Sequence, residues 1–342
     1  MSVSSTIVGT TRASAVEPNR EVTAWELRAG GLRAEIWSLG ATLVALDVPD
    51  RDGATANVVA RHDDLSGYDD PAERAGYLGA TVGRWANRIR NGRCTVDGRD
   101  LVLETNDGVH HLHGGVGFDQ RIWSIEQVAD GVGEEAAAIE ASLVSPDGDA
   151  GYPGRLEVAV RFTLSPTQLA IDYAATSDAV TPINLTNHAY WNLAGGGRID
   201  DHRVTIPASR YLPVDEGSIP VGGPSPVAGT RFDFTAERAL GPFAGDPLAA
   251  GYDHCLLPGG DGLRPIAAVH DPASGRTMRV QSDQPGVQLY TANYLEPPHT
   301  ALCLETQRAP DAVNQPELGP ALLAPGETYR HSTIHTFGIR ER

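Results

Sequence analysis

Apolar and polar residues alternate with a period of two over most of the chain, which is typical of half-buried β-strands. The clearest alternation covers residues 156–164 and 169–173, which are separated by Ser165-Pro166-Thr167 and therefore predict a hairpin. Shorter runs of this kind occupy residues 32–37, 42–48, 204–207, 278–281, 287–291 and 301–306. Helical periodicity is scarce, and only residues 64–68 and 235–240 suit one or two helical turns.

This pattern defines a fold class. Strands do not alternate with long amphipathic helices, which argues against a doubly wound parallel sheet. The 38 glycines and 24 prolines indicate many turns between short elements. No composition shift or repeat divides the chain. We predict an all-β protein with a large antiparallel β-sandwich. We expect a single domain over residues 1–342, with residues 1–25 as a loosely ordered N-terminal extension.

The charge balance excludes several classes of partner. The chain carries 27 Lys and Arg against 44 Asp and Glu, a formal net charge of −17. Such a chain repels nucleic acids and anionic lipid surfaces. The N-terminus lacks a secretory signal, and no apolar run approaches the roughly 18 residues of a membrane span. We expect a cytoplasmic protein with no nucleic-acid or membrane partner, either a monomer or a homodimer.

A carboxylate on a predicted strand is the first candidate for chemistry. Alternation over residues 301–306 places Cys303 and Glu305 on the face opposite Leu304. Glu305 therefore lies among apolar neighbours, where burial disfavours an ionised carboxylate unless it is paired with a cation or has a functional role. A structural ion pair is the alternative to a catalytic role. On a nearby strand, Gln288 and Tyr290 share one face and aim an amide and a phenol together.

Amides, aromatic rings and a histidine are concentrated in residues 184–193, Asn-Leu-Thr-Asn-His-Ala-Tyr-Trp-Asn-Leu. Amides donate and accept hydrogen bonds, and flat rings offer an apolar platform. That mixture suits a sugar, which has hydroxyls at its edge and C–H groups on its faces. His188 and Tyr190 are the candidates here. Ordinary core packing of the same histidine is the alternative.

Two further clusters leave a choice open. His111 and His113 lie two apart on a strand, as metal ligands can, but no third ligand is recognisable at a zinc spacing. We therefore predict no metal. A local group of arginines could clamp an anion or a hydroxyl, or form a solvated strand edge; it consists of Arg84, Arg88, Arg90 and Arg93. Nucleotide-binding and nucleophile-elbow motifs are absent from the sequence, which leaves acid–base work by His and Glu on a polar small molecule.

Six short motifs, taken together and in order, resemble the aldose 1-epimerase (galactose mutarotase) family. They are Gly83-Arg84-Trp85-Ala86-Asn87-Arg88-Ile89, Leu112-His113-Gly114-Gly115, Ser145-Pro146-Asp147-Gly148 with Gly151-Tyr152-Pro153-Gly154, residues 184–193, Tyr252-Asp253-His254, and Glu305-Thr306-Gln307 with Pro310-Asp311 and Asn314-Gln315-Pro316. The resemblance implies a galactose-mutarotase-like β-supersandwich. It implies interconversion of the α and β anomers of free aldoses such as glucose and galactose, without a metal or organic cofactor.

The resemblance also implies roles for single residues. Glu305 matches the general base at the anomeric hydroxyl, His188 the acid at the ring oxygen, and His113 a group that assists near that oxygen. The positions implied to bind the sugar, the one small-molecule partner expected, are Asn87, Arg88, Asp253, Gln288 and Tyr190. Trp85 departs from the family, which more often has Tyr or Phe there.

Simple chemistry agrees with these roles. Opening a hemiacetal ring needs a proton to leave O1 while another reaches O5. A glutamate with an ordinary pKa of about 4.3 is ready as a base near neutrality, and a histidine near 6.5 gains from a neighbouring carboxylate. Three alternatives remain: a hexose-phosphate mutarotase that uses the arginines, a catalytically silent sugar-binding domain, and a glycosidase with Asp253 as second carboxylate.

Overall fold

Strands form nearly all the regular structure in the computed structural model, which describes residues 1–12, 18–70, 76–129, 135–243 and 251–341. The strands are β1 (Ser2–Thr10), β2 (Glu21–Ala29), β3 (Leu32–Trp37), β4 (Thr42–Pro49), β5 (Thr55–Asn57), β6 (Thr81–Val82), β7 (Arg88–Ile89), β8 (Arg93–Val96), β9 (Arg99–Val102), β10 (His111–Leu112), β11 (Ser124–Val128), β12 (Ala137–Ser145), β13 (Leu156–Leu164), β14 (Gln168–Ser177), β15 (Thr181–Pro182), β16 (Thr186–Asn187), β17 (Arg203–Thr205), β18 (Arg210–Tyr211), β19 (Ser225–Pro226), β20 (Arg238–Ala239), β21 (Asp253–Leu257), β22 (Arg264–His270), β23 (Arg276–Ser282), β24 (Gly286–Tyr290), β25 (Cys303–Gln307), β26 (Leu322–Leu323) and β27 (Tyr329–Ile339). Helix α1 (Leu65–Asp69) is joined by short 3-10 helices at Arg90–Gly92, Phe118–Gln120, Asp149–Gly151 and Pro316–Leu318.

Three larger antiparallel sheets organise the molecule, as the alternating sequence predicts. One has nine strands in the order β11-β12-β13-β14-β27-β23-β22-β17-β20. A second has five, β19-β18-β21-β24-β25, and the third joins β1 to β5 in sequence order. The predicted hairpin is β13 with β14, in a register that pairs Leu164 with Leu169. The all-β sandwich is thus confirmed.

The nine-stranded sheet and the β24–β25 sheet meet through buried polar contacts as well as apolar ones. Thr306 of β25 lies 3.0 Å from His331 Nε2 and 2.6 Å from the hydroxyl of Thr333, both on β27. All three side chains are buried. Because successive strand residues point to opposite faces, Glu305 is directed away from this interface. The packing of β25 therefore fixes which of its residues reach the other surface.

Two local expectations differ from the structure. The expectation of loose order over residues 1–25 is wrong for Ser2–Thr10, because β1 pairs with β2 along its length and Val3 packs on the core; residues 13–17 lie outside the described residues. Residues 235–240 contain strand β20, which pairs with β17, in place of a helical turn. Helix α1 confirms the turn expected near residues 64–68. Among the described residues, no helix is long and apolar enough to span a membrane.

Arg84 is a structural residue of the core, not part of a ligand clamp. Its side chain is almost fully buried. The guanidinium donates to the carbonyl oxygens of Ser145, Pro146 and Pro153 at 2.8 to 3.0 Å, and to the Ser145 hydroxyl. It thus holds together the two glycine- and proline-rich turns of residues 145–154. The alternative of a solvated strand edge is also wrong for Arg84, because the side chain is buried and its donors bond to protein atoms instead of water.

Arg84→Met should lower the free energy of unfolding by about 3 kcal/mol, because the carbonyl oxygens of Ser145, Pro146 and Pro153 lose a charged and buried donor. Urea denaturation measures this change. Arg93→Met is the matched control: its side chain is exposed, so the loss should stay within about 0.5 kcal/mol. Equal stability of the two variants would contradict the structural role of Arg84.

Candidate active site

A cleft of about 90 Å³ collects most of the residues that the sequence analysis singled out. Its walls come from segments far apart in sequence, namely β7, β10, β16, β21, β24, β25 and their flanking turns. The lining side chains are Tyr77, Asn87, Arg88, Leu112, His113, His188, Tyr190, Asp253, Tyr290, Tyr294 and Glu305. Seven of the eight predicted site residues therefore line one cleft, and Gln288 lies directly behind it.

Glu305 presents its carboxyl to this cleft from the middle of β25, as the alternation predicts. The side chain is 2% exposed, and Oε2 has no hydrogen-bond partner among the described residues. Burial raises the pKa of Glu305 to about 8; the nearby Asp253 adds to the rise and Arg88 opposes it. The carboxyl is thus protonated at neutral pH in the free cleft. The expectation that it is ionised near neutrality is corrected by this desolvation.

His188 follows β16 and faces Glu305 across the cleft. Its Nε2 lies 3.6 Å from Glu305 Oε1, and its Nδ1 lies 3.5 Å from the Cys303 sulfur. The ring is stacked on Tyr190, with centroids 4.9 Å apart. Burial lowers the pKa of His188 to about 4, so the carboxyl does not raise it as expected from sequence. Near neutrality both members of the pair are uncharged, and their contact is not an ion pair.

His113 is locked in one orientation by a reciprocal pair of bonds with Asn87. The Asn87 N–H donates to His113 Nδ1, and the His113 N–H donates to the Asn87 carbonyl oxygen, both at 3.2 Å. Both residues have positive φ, 64° and 50°, a conformation found repeatedly in functional sites. Since Nδ1 accepts a bond, the neutral ring carries its proton on Nε2. Burial, with the charges of His188 and Arg88, lowers the pKa of His113 well below its ordinary value.

The glycine after His113 makes this turn possible. Gly114 has φ 88°, and a Cβ there would lie 1.9 Å from the Gly83 carbonyl oxygen. Any other residue would push apart the two motifs that hold Asn87 and His113. The Leu-His-Gly-Gly motif is therefore a requirement of backbone packing that aims one imidazole.

A charged network forms the other wall. Arg88 Nε donates to Asp107 Oδ2 at 2.7 Å, and Gln288 Nε2 donates to Asp253 Oδ1 at 2.6 Å. Burial raises the pKa of Asp253, against the lowering effects of Arg88 and Gln288. Burial acts to lower the pKa of Arg88, but the charges of Asp253 and Asp107 outweigh it and raise the value. Gln288 thus orients Asp253, and its own Oε1 is buried without a partner among the described residues.

Three tyrosines complete the cleft, and none of them is among the site residues predicted from the sequence. Tyr77 lies on the other side of His188 from Tyr190, with ring centroids 6.0 Å apart. Tyr290 meets the His188 ring edge-on, and the 78% exposed Tyr294 stands at the rim. For Tyr290, the alternation of its strand predicts a direction, namely the face that it shares with Gln288. Tyr77 and Tyr294 belong to turns, where no periodicity signals direction.

Other polar side chains of the sequence motifs form hydrogen bonds to the backbone and do not line the cleft. Asn184 bonds to Ala86 and Arg308, and the amide nitrogen of Asn192 donates to two carbonyl oxygens. His111 is buried and bonds Glu104 and Tyr152 with its two ring nitrogens, so it does not share a metal with His113. The arginines of residues 84–93 do not converge, since Arg84 is buried elsewhere and Arg90 pairs with Asp215.

A larger concavity of about 730 Å³ lies on β11 to β14, and its size does not make it the active site. Its lining includes Ser142, Ala159 and Ala174, with Glu157 and Arg20 as its charged groups. These side chains offer no buried acid–base pair. The smaller cleft holds a carboxyl and an imidazole that face each other and whose pKa values are displaced in opposite directions, and such acid–base pairs mark functional sites.

Three groups of the cleft are close enough to share a metal ion. One ligand atom from each of His113, His188 and Glu305 lies within 4.8 Å of the other two. The fold thus brings two other potential ligands, His188 and Glu305, to His113, whereas His111 points elsewhere. The same three groups also suit proton transfer without a metal, and absence of a metal remains a prediction.

Comparison with known proteins agrees with this geometry. The family model for aldose 1-epimerase matches residues 23–336. The galactose mutarotase of Bos taurus is 44% identical over 92% of this chain and 94% of its own length. The aldose 1-epimerase of Escherichia coli K12 is 36% identical over 90% of this chain and 92% of its own length. A galactose 1-epimerase structure from Lactobacillus acidophilus superposes with a TM-score of 0.85 at 27% identity, covering 99% of this chain and all of that one.

The chain belongs to the aldose 1-epimerase family. Its enzyme class is that of the sugar epimerases.

Exhaustive dialysis against a strong chelator should leave the epimerase activity unchanged, because the buried carboxyl and imidazoles can move protons unaided. The measurement is the catalysed rate before and after dialysis, with metal content checked by elemental analysis. A loss of activity that Zn²⁺ or another divalent ion restores would contradict metal independence.

Proposed function

We propose that this protein interconverts the α and β anomers of free aldohexoses such as glucose and galactose. One observation carries this proposal: the buried side chains of Glu305 and His188 face one polar cleft, with Oε1 and Nε2 3.6 Å apart. The names of the relatives, galactose mutarotase and aldose 1-epimerase, support the same reaction.

The proposed reaction moves two protons and breaks one bond. Glu305, as carboxylate, accepts the proton of the anomeric hydroxyl, while His188, as imidazolium, donates a proton to the ring oxygen. The C1–O5 bond opens and C1 becomes an aldehyde. Rotation about C1–C2 presents the other face of the carbonyl to the C5 hydroxyl. Reclosure returns both protons and gives the other anomer.

The proton count of the pair fits this scheme. With Glu305 near 8 and His188 near 4, the two side chains together hold one proton between these pH values. In the free cleft that proton sits on the carboxyl. The reactive form has the same number of protons, with the proton on the imidazole instead, and such forms titrate together as one pair.

His113 supplies a fixed donor beside this pair. Its Nε2 carries the ring proton because Nδ1 accepts the bond from Asn87. Its ring meets the His188 ring edge-on, with centroids 5.1 Å apart. A neutral N–H donor there stabilises a sugar oxygen as it gains electron density, without adding a charge to the cleft.

The remaining polar groups are suited to hydroxyls. Asp253, held by Gln288, accepts hydrogen bonds, and Arg88 donates them from the same wall. The Tyr190 ring offers an apolar surface, while its hydroxyl is bonded to the Gly76 carbonyl oxygen. A hydroxyl needs one or two such partners, whereas a phosphate needs several converging cations. Among the residues that the structure describes, Arg88 is the one arginine that lines the cleft.

Free sugars should therefore be better substrates than their phosphates. We expect kcat/KM for glucose or galactose to exceed that for the 6-phosphate by at least about tenfold, or about 1.4 kcal/mol of transition-state binding. Polarimetry of freshly dissolved anomers at matched ionic strength measures this ratio. A preference for the phosphate would identify a hexose-phosphate mutarotase instead.

Glu305→Gln should lower kcat/KM by roughly 10²-fold or more, because the amide keeps the shape and cannot take the anomeric proton. Glu126→Gln, a change of the same type at an exposed position, is the control and should retain full activity. More than a tenth of the original activity in Glu305→Gln would remove this residue from the role of base.

The pH profile should follow the shared proton. Between about pH 4 and about 8 the pair holds one proton, so kcat/KM should be level there. Above about 8 the pair loses it, the imidazolium form disappears, and kcat/KM should fall by about tenfold per pH unit. Polarimetry with an enzyme-free blank at each pH measures the profile. A rate that rises through pH 8 would mean that ionised Glu305 works without a proton on His188.

A further inference from the structure

A second pocket, of about 230 Å³, lies on the outer face of the nine-stranded sheet. We call it the arginine pocket and define it by Arg203, His270, Arg279 and Arg340. Neighbouring strands bring these residues together: Arg203 on β17 pairs with His270 on β22, which pairs with Thr277 on β23. Arg279 is two residues along β23 and therefore points the same way.

This face points away from the active-site cleft. The intervening residues of the same strands, such as Val204, Val269 and Met278, are fully buried in the core. The core face of β27 in turn contacts Thr306 of β25, whose neighbour Glu305 points into the cleft. At least two sheets, packed about 10 Å apart, therefore separate the arginine pocket from the sugar site.

This pocket holds more positive charge than the negative charge that lines it. Of the described residues, three with guanidinium groups line it, against one with a carboxylate, Glu237. Glu237 is 2.9 Å from Arg340 and is thus engaged. The guanidinium groups of Arg203 and Arg279 have no hydrogen-bond or ion-pair partner among the described residues. In a chain of net charge −17, such a local excess stands out.

His270 adds a buried donor without an acceptor. Its side chain lines the pocket, the residue is 8% exposed, and Nδ1 lies 3.1 Å from Arg340 Nη1. An arginine only donates, so Nδ1 accepts and the neutral ring carries its proton on Nε2. That Nε2 is buried and has no partner among the described residues. A buried N–H without an acceptor is costly, and an acceptor from a ligand would satisfy it.

We propose that the arginine pocket binds a compact dianion with the chemistry of a phosphate group. Arg203 and Arg279 supply forked donors that match phosphate oxygens, and His270 supplies a neutral N–H from below. The Thr277 hydroxyl lies in the same row of the sheet and adds another donor. The volume leaves room for a small organic group beside the phosphate, which suits either inorganic phosphate or a sugar phosphate. This inference does not depend on the function proposed for the cleft.

Titration of the wild-type protein with inorganic phosphate, followed by ³¹P NMR and calorimetry at constant ionic strength, tests the proposal. We expect saturable binding with a Kd on the order of 1 mM. Arg203→Gln and Arg279→Gln should each weaken it by about tenfold, since each removes a charged fork. The exposed Arg99→Gln, on strand β9, is the control and should bind as the wild type does.

Glucose 6-phosphate distinguishes the two sources of the phosphate group. Tighter binding than inorganic phosphate, lost in Arg279→Gln, would support a sugar phosphate as the ligand; equal binding would support phosphate alone. The sugar cleft stays intact in these variants, so their mutarotation without phosphate reports correct folding. Absence of saturation up to about 20 mM phosphate, or equal binding by wild type and Arg279→Gln, would overturn the proposal.

Discussion

The carboxyl of Glu305 is buried with no cation bonded to it in the described part of the chain, and the arrangement of the cleft depends on this. A buried carboxylate is expensive unless it is paired, and Arg88, the cation whose charge acts on Glu305, is already shared by Asp107 and Asp253. Two acidic groups thus compete for one arginine. The result is a carboxyl that keeps its proton at neutral pH and stands beside an imidazole that lacks one.

Aromatic and backbone contacts maintain this unusual balance. Tyr77 and Tyr190 lie on both sides of His188, which excludes water and keeps the imidazole from gaining charge. Asn87 directs His113 through the backbone and not through a charged partner. His188 and His113 are therefore oriented by neutral contacts, so that a proton can move between Glu305 and His188 without first breaking a strong ion pair.

Much of this was accessible from the sequence because strands alternate. The period of two gave the sandwich, the β13–β14 hairpin and the side of β25 on which Glu305 lies. What it could not give was the pKa order of Glu305 and His188, since burial depends on neighbours from distant segments. Side-chain directions in turns could not be predicted either. Tyr77 reaches the cleft from a turn, and Arg84 is buried although its motif suggested a ligand clamp.

The alternation of β25 also limits how this sequence can change over generations. Thr306 is fastened to β27 on one side, and Glu305 faces the sugar on the other. Inserting or deleting one residue in this strand would exchange the two and lose the core contact and the acid–base group together. Substitutions are different, because each face can vary alone. The length of β25 is therefore under a stricter structural constraint than the identity of the residues on its sugar side.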